Sequence, residues 1–80
     1  MREEVPISGA TIRLGQLLKL AGLAVSGSDA KALLAAGAVS VNGQREERRG
    51  RQLGVGDIVG AGDRELIVVA APDSAAASSS

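Results

Sequence analysis

The stretch Ser26-Gly27-Ser28-Asp29-Ala30-Lys31-Ala32-Leu33-Leu34-Ala35-Ala36-Gly37-Ala38-Val39-Ser40-Val41-Asn42-Gly43 decides the fold class, because its hydrophobic period changes once along the way. Ser26 with Asp29 three residues later reads as a capping box, and Ala30, Leu33 and Leu34 then recur at helical spacing. Gly37 is a natural residue for the helix C-terminus. Beyond it the period drops to two, with Val39 and Val41 flanking Ser40, and Asn42-Gly43 supplies the strongest short turn signal a hairpin can have. A helix that hands over to an antiparallel pair belongs to an α+β protein.

Upstream, Leu14, Leu17, Leu18 and Ala21 fall on one helix face, with Thr11 as the expected N-cap and Gly22 as the stop. Arg13, Gln16 and Lys19 fall on the other side of that helix, so two cations are displayed together. Only Leu23 to Val25 separate the two helical runs, which predicts a helix-turn-helix or αα-hairpin. Residues 1–10, with Pro6 and Gly9, read as a lead-in carrying one short strand around Val5 to Ser8.

Downstream, Gln44 to Gln52 reads as an irregular strand and loop, and Gly54-Val55-Gly56-Asp57 as a turn before Ile58-Val59. Ala61-Gly62-Asp63 turns the chain again, and Glu65 to Ala70 suits a final strand. The expected sheet is small, twisted and antiparallel. Residues 11–71 form the expected domain, and 72–80 an Ala/Ser tail too poor in apolar side chain to order itself. A monomer is expected, with Leu66 to Val69 a route to self-association if that strand lies at a sheet edge.

A chain of 80 residues buries only roughly 60% of the surface its unfolded form exposes. With no Phe, Tyr or Trp, its core must come from Leu, Ile, Val and Ala. The absence of Cys and His removes disulfides, thiolate metal sites and the commonest general base, so neither metal nor cofactor is expected. No pair of carboxylates is spaced for acid–base work, and Gly54, Gly56 and Gly60 lack the spacing and context of a dinucleotide loop, so no small-molecule substrate is expected. The acidic start, Met1 to Pro6, lacks the apolar run of a signal peptide and no stretch approaches the length of a membrane span, which predicts a cytoplasmic protein without a membrane partner.

The formal net charge of zero argues against a strongly electrostatic nucleic-acid binder, but the distribution is uneven. From Arg13 to Arg51 the cations are Arg13, Lys19, Lys31, Arg45, Arg48, Arg49 and Arg51, against Asp29, Glu46 and Glu47.

Arg13-Leu14, Leu17-Leu18-Lys19, Gly22-Leu23, Ser26, Ala30-Lys31, Gly37, Val39-Ser40-Val41-Asn42-Gly43, Leu53 and Gly56-Asp57, in this order and spacing, resemble the S4 RNA-binding domain over residues 12 to 60. Leu-Lys-Leu-x-Gly-Leu, Ser-Gly-x-x-Ala-Lys and Val-Asn-Gly-x-x-Glu-x-Arg-Arg resemble most the small bacterial proteins that contain little else. The resemblance implies the αL S4-like motif. In it, helix one, the start of helix two and the adjoining hairpin form a basic surface for structured RNA, often ribosomal RNA, and no catalysis is performed. It also implies RNA contact by Arg13, Lys19, Lys31, Arg45, Arg48, Arg49 and Arg51, with Gln16, Gly27 and Ser28 as further contacts.

Elementary chemistry favours the same use. Lys31, read as lying in the first turn of helix two, would add to the positive end of that helix, and Gly27 and Ser28 leave room for a phosphate. The arginines can fork onto phosphates and stack on exposed bases. Without aromatic side chains to stack unpaired bases, recognition of RNA shape and backbone is favoured over reading of a linear sequence. The bland reading is a solvated helix face for Arg13 and Lys19, and local pairing of the arginines with Glu46 and Glu47. Ser26 reads as a cap and Gly37, Asn42, Gly43 and Asp57 as turn residues. Two positions depart from the broader S4 pattern: Gly15, where many members carry Asp, and Gly27, where many carry a basic residue. These departures imply a weaker grip or a different target. The competing function is a protein-interaction module in which the helix pair docks a partner.

Overall fold

The computed structural model describes residues 2–71; the Ala/Ser tail lies outside them. In chain order the elements are β1 (Arg2–Ile7), β2 (Thr11–Arg13), α1 (Leu14–Leu20), α2 (Gly27–Ala35), β3 (Val39–Val41), β4 (Gln44–Arg45), β5 (Gln52–Gly54), β6 (Ile58–Ala61) and β7 (Arg64–Ala70). The class is α+β, and two sheets are present. Five strands run in the order β1-β7-β6-β3-β4, while β2 pairs with β5 in a small separate sheet.

The large sheet is mixed, which corrects the antiparallel expectation. β1 runs parallel to β7, with Val5 opposite Val68 and Ile7 opposite Ala70. β6 is antiparallel to both β7 and β3. β3, β6 and β7 alternate in direction across the sheet, and β7 runs the same way as β1, so that the two pair in parallel. Because β1 covers β7, Leu66 to Val69 are interior to the sheet and offer no free edge, contrary to the self-association route read from sequence. β1 is itself an edge strand and carries Pro6, which cannot donate to a ladder and is tolerated at an edge.

One face of the sheet supplies Val5, Ile7, Leu66, Val68, Val59, Ala61, Val39 and Val41 to a single core, which Leu14, Leu17, Leu18, Ala30 and Leu34 of the helices complete. Leu53 on β5 joins the same core and is fully buried. Period two in the strands and three-to-four in the helices thus converge on one aliphatic interior.

Helix α2 starts as the sequence indicates. Ser26 Oγ accepts from the Asp29 amide at 3.2 Å, but Asp29 returns its carboxylate to the Val25 amide, also at 3.2 Å, rather than to Ser26. Its end is a Schellman closure: the Gly37 amide donates to Leu34 O and the Ala38 amide to Leu33 O, with Gly37 at φ +74.

Helix α1 differs from expectation. Thr11 belongs to β2, and the N-cap position is Arg13, whose side chain makes no capping bond. The first amides are satisfied from far along the chain instead: Leu14 donates to Arg51 O at 2.8 Å and Gly15 to Arg49 O at 3.0 Å. The β2–β5 pairing, which sets Ile12 opposite Leu53 and Arg13 opposite Gln52, brings those carbonyls into place.

Candidate nucleic-acid interface

Between β4 and β5, residues 46–51 form a loop, and Glu46 is the one buried charged residue among the described residues. Its carboxylate accepts from the amides of Glu47 and Arg48 at 3.0 and 3.1 Å, from Arg51 Nη1 at 2.9 Å and from Arg48 Nε at 3.4 Å. The Arg51 guanidinium foremost, then the Arg48 amide, push the Glu46 carboxyl down to about 2. This carboxylate folds the loop around itself.

The loop arginines therefore have different circumstances. Arg51 is half-buried against Glu46. Arg48 touches the same carboxylate yet leaves 81% of its side chain exposed. Arg45 pairs with Glu47 at 3.1 Å and lays its guanidinium over Gly37, so that a Cβ there would come within 2.8 Å of Arg45 Cζ. Arg49 turns toward the helices: a Cβ on Gly15 would lie 2.7 Å from its Cγ, and one on Gly27 would lie 3.3 Å from its Nη1.

Arg49 thereby closes one wall of a cleft of about 340 Å³ between α1 and α2, which Arg13, Gln16, Lys19, Gly27 and Gly50 also line. Three cations face this cleft and no acidic residue lines it. A second hollow, formed by Arg48 to Gln52, adjoins it through Arg49 and Gly50. Away from the cleft two cations are paired: Arg64 forks onto Glu3 and reaches the Ala21 carbonyl at 3.1 Å, and Arg2 meets Glu65 at 2.8 Å. The zero net charge is thus a partition, with unneutralised cations at the cleft and acids such as Glu4, Asp29, Asp57 and Asp63, which make no ion pair among the described residues, outside it.

Of the residues read from sequence, Arg13, Gln16, Lys19, Gly27 and Arg49 come together. Lys31 and Ser28 are exposed but do not line the cleft. Lys31 is the fifth residue of α2, in its second turn rather than its first, on the same face as Gly27 one turn earlier. Asn42 and Gly43, at φ 52 and φ 85, form the hairpin turn, and the Asn42 side chain binds Asp57 Oδ1 at 3.2 Å and the Ile58 amide at 3.0 Å. Asp57 in turn accepts from the Gly54 amide at 2.8 Å, and that bond, followed by the one from Asn42, holds its carboxyl below the ordinary range.

Sequence reasoning missed two features of the site. Glu46 was not separable from its neighbour Glu47, since an acid that organises a loop and one that decorates it look alike in a charge run. Gly15 read as a departure implying a weaker grip or a different target, whereas its missing side chain is what admits Arg49.

No helix among the described residues is long and apolar enough to cross a membrane. The family model described as S4 domain matches residues 5–69. A Bacillus subtilis (strain 168) protein described as probable ribosome maturation protein RlbA is 46% identical over 59 residues, covering 74% of this chain and 83% of its own length. The match takes in both helices, the arginine loop, five of the seven strands in full and most of β7, and the chain belongs to the S4-domain family.

Proposed function

We propose that this protein binds structured RNA, ribosomal RNA among its targets, without catalysing a reaction, and that it serves ribosome maturation in the bacterial cytoplasm as a monomer. The observation that carries the reading is the cleft lined by Arg13, Lys19 and Arg49 with no acid in its wall. Convergent cations without counter-charges raise the local concentration of an anionic partner and gain affinity by releasing its condensed counterions. Membership of the S4-domain family and the description of the Bacillus subtilis relative support RNA over other polyanions. The helix pair with the arginine loop corresponds in this reading to the αL S4-like motif, with Lys31, Ser28, Arg45, Arg48 and Arg51 as outlying contacts. Recognition proceeds through backbone and shape, because no aromatic side chain is available to stack an unpaired base.

The test is binding of the purified protein to a folded ribosomal RNA fragment and to an unstructured strand of the same length at two salt concentrations. If about five phosphates are neutralised, affinity falls by some hundreds of fold between about 50 and about 200 mM salt. A second reading, docking of a protein partner, draws on Leu20 and Val25, which are 62% and 90% exposed where α1 leads toward α2. An apolar contact of that kind would be nearly indifferent to salt and to RNA.

A further inference from the structure

The stretch from Arg45, which ends β4, through the loop to Arg51 contains four arginines in seven residues, and they are not equivalent. Arg45, Arg48 and Arg51 each hold an acid, at 3.1, 3.4 and 2.9 Å respectively. Arg49 has no acidic partner among the described residues. Its backbone is fixed by the bond from the Gly15 amide to its carbonyl, and its stem crosses Gly15 so closely that a methyl group there would meet Cγ at 2.7 Å. Its guanidinium reaches Gly27, on the opposite wall of the cleft that Arg13 and Lys19 line. An arginine that must first leave a carboxylate gains little from a phosphate, whereas an unpaired one held in place by its stem gives up less freedom on binding.

We propose that Arg49 is the loop's ligand for an RNA phosphodiester, seated across the bare backbones of Gly15 and Gly27, while Arg45, Arg48 and Arg51 shape the loop. This rests on the RNA-binding reading above. It makes Gly15 and Gly27 specificity determinants that carry no charge. A methyl on Gly15 meets the Arg49 stem at 2.7 Å and forces it to move, one on Gly27 crowds its Nη1 at 3.3 Å, and neither alters a charge of the protein.

The experiment measures affinity of the wild type, Arg49→Ala, Arg49→Lys, Gly27→Ala and Arg48→Ala for a folded ribosomal RNA fragment across a salt series, with a thermal melt of each variant. Expected are a roughly tenfold loss for Arg49→Ala and a salt slope lower by about one. Arg49→Lys regains the slope but only part of the affinity, since a point charge replaces a fork. Gly27→Ala, whose methyl crowds the Arg49 guanidinium at 3.3 Å, lowers affinity about twofold with a melt no lower than the wild type's, and Arg48→Ala, at an outlying contact that Glu46 already holds, loses no more than about threefold. Equal losses for Arg48→Ala and Arg49→Ala, or none for Arg49→Ala, would overturn the assignment while leaving RNA binding intact. A wild type that binds no RNA even at low salt overturns the functional reading itself, and the wild-type arm alone distinguishes that outcome.

Discussion

Glu46 Oε1 accepts a hydrogen bond from Arg51 Nη1 at 2.9 Å, and Glu46 Oε2 simultaneously holds the amides of Glu47 and Arg48. One carboxylate thereby fixes both ends of the arginine loop, and Arg51 passes the constraint on to α1 through its carbonyl bond to the Leu14 amide.

Acid should open this loop late. The Glu46 carboxyl ordinarily titrates near 4.5 and is pushed down to about 2 in the fold. The unfolded chain therefore takes up the proton first. The stabilisation is complete above about 4.5, declines as pH falls below that value, and is gone below about 2. An NMR titration should show the Arg48 amide responding with a midpoint near 2; a midpoint at the ordinary carboxyl value would contradict the arrangement.

Glu46→Gln tests the same carboxylate at neutral pH. The amide keeps the shape but loses the charge that binds Arg48 and Arg51, so the loop amides should exchange with solvent several-fold faster and the melting temperature should fall. Glu47→Gln, which removes only the exposed pair with Arg45, should leave both unchanged.

Leu53 is fully buried on a strand of three residues. Leu53→Ala should cost about 2–5 kcal/mol by opening a cavity, a large share of the stability of so small a domain. Urea denaturation followed by circular dichroism measures it. Preserved stability would show that β2 and β5 contribute little to the core.

Asn42 occupies a left-handed position and bonds through its side chain to Asp57 and Ile58. Asn42→Ala should destabilise by about 1–2 kcal/mol, since it loses those bonds and strains the backbone. Asn42→Gly removes the bonds but relieves the strain, so the two variants compared in one urea series separate the contributions.

Arg64 and Arg2 offer a contrast at β1. Arg64 forks onto Glu3 and also reaches Ala21 O, whereas Arg2 makes a single exposed contact with Glu65. Arg64→Met should speed hydrogen exchange of the β1 amides, measured at Val5, while Arg2→Met should leave it unchanged.

The parts of this fold that are written locally are legible in the sequence. Ser26, Gly37 and the Asn42-Gly43 pair each act on neighbours within a few residues, and α2 and the β3–β4 hairpin follow from them. The start of α1 was illegible because its amides bind carbonyls of Arg49 and Arg51, so Thr11 offered a local cap the fold does not use. The parallel pairing of β1 was illegible for the same reason, since Pro6 and the acidic residues around it obscure the alternation of Val5 and Ile7. At the site, the kinds of residue were legible and their division was not. Which arginine is paired and which is unpaired depends on the burial of Glu46 and on the bare surfaces of Gly15 and Gly27.

The register of β1 on β7, with Arg2 opposite Glu65, also bears on the order of folding. Among the described strands β1 comes first along the chain, and its only neighbour in the sheet comes last. Until β7 is in place, Val5 and Ile7 have no ladder to join. Helix α2 and the β3–β4 hairpin, which need only local partners, can form without it, while the start of α1 waits for the carbonyls of Arg49 and Arg51. Closure of the large sheet therefore depends on a pairing between its first and last strands, the contact that costs most loop entropy, and that contact lies at the sheet's edge.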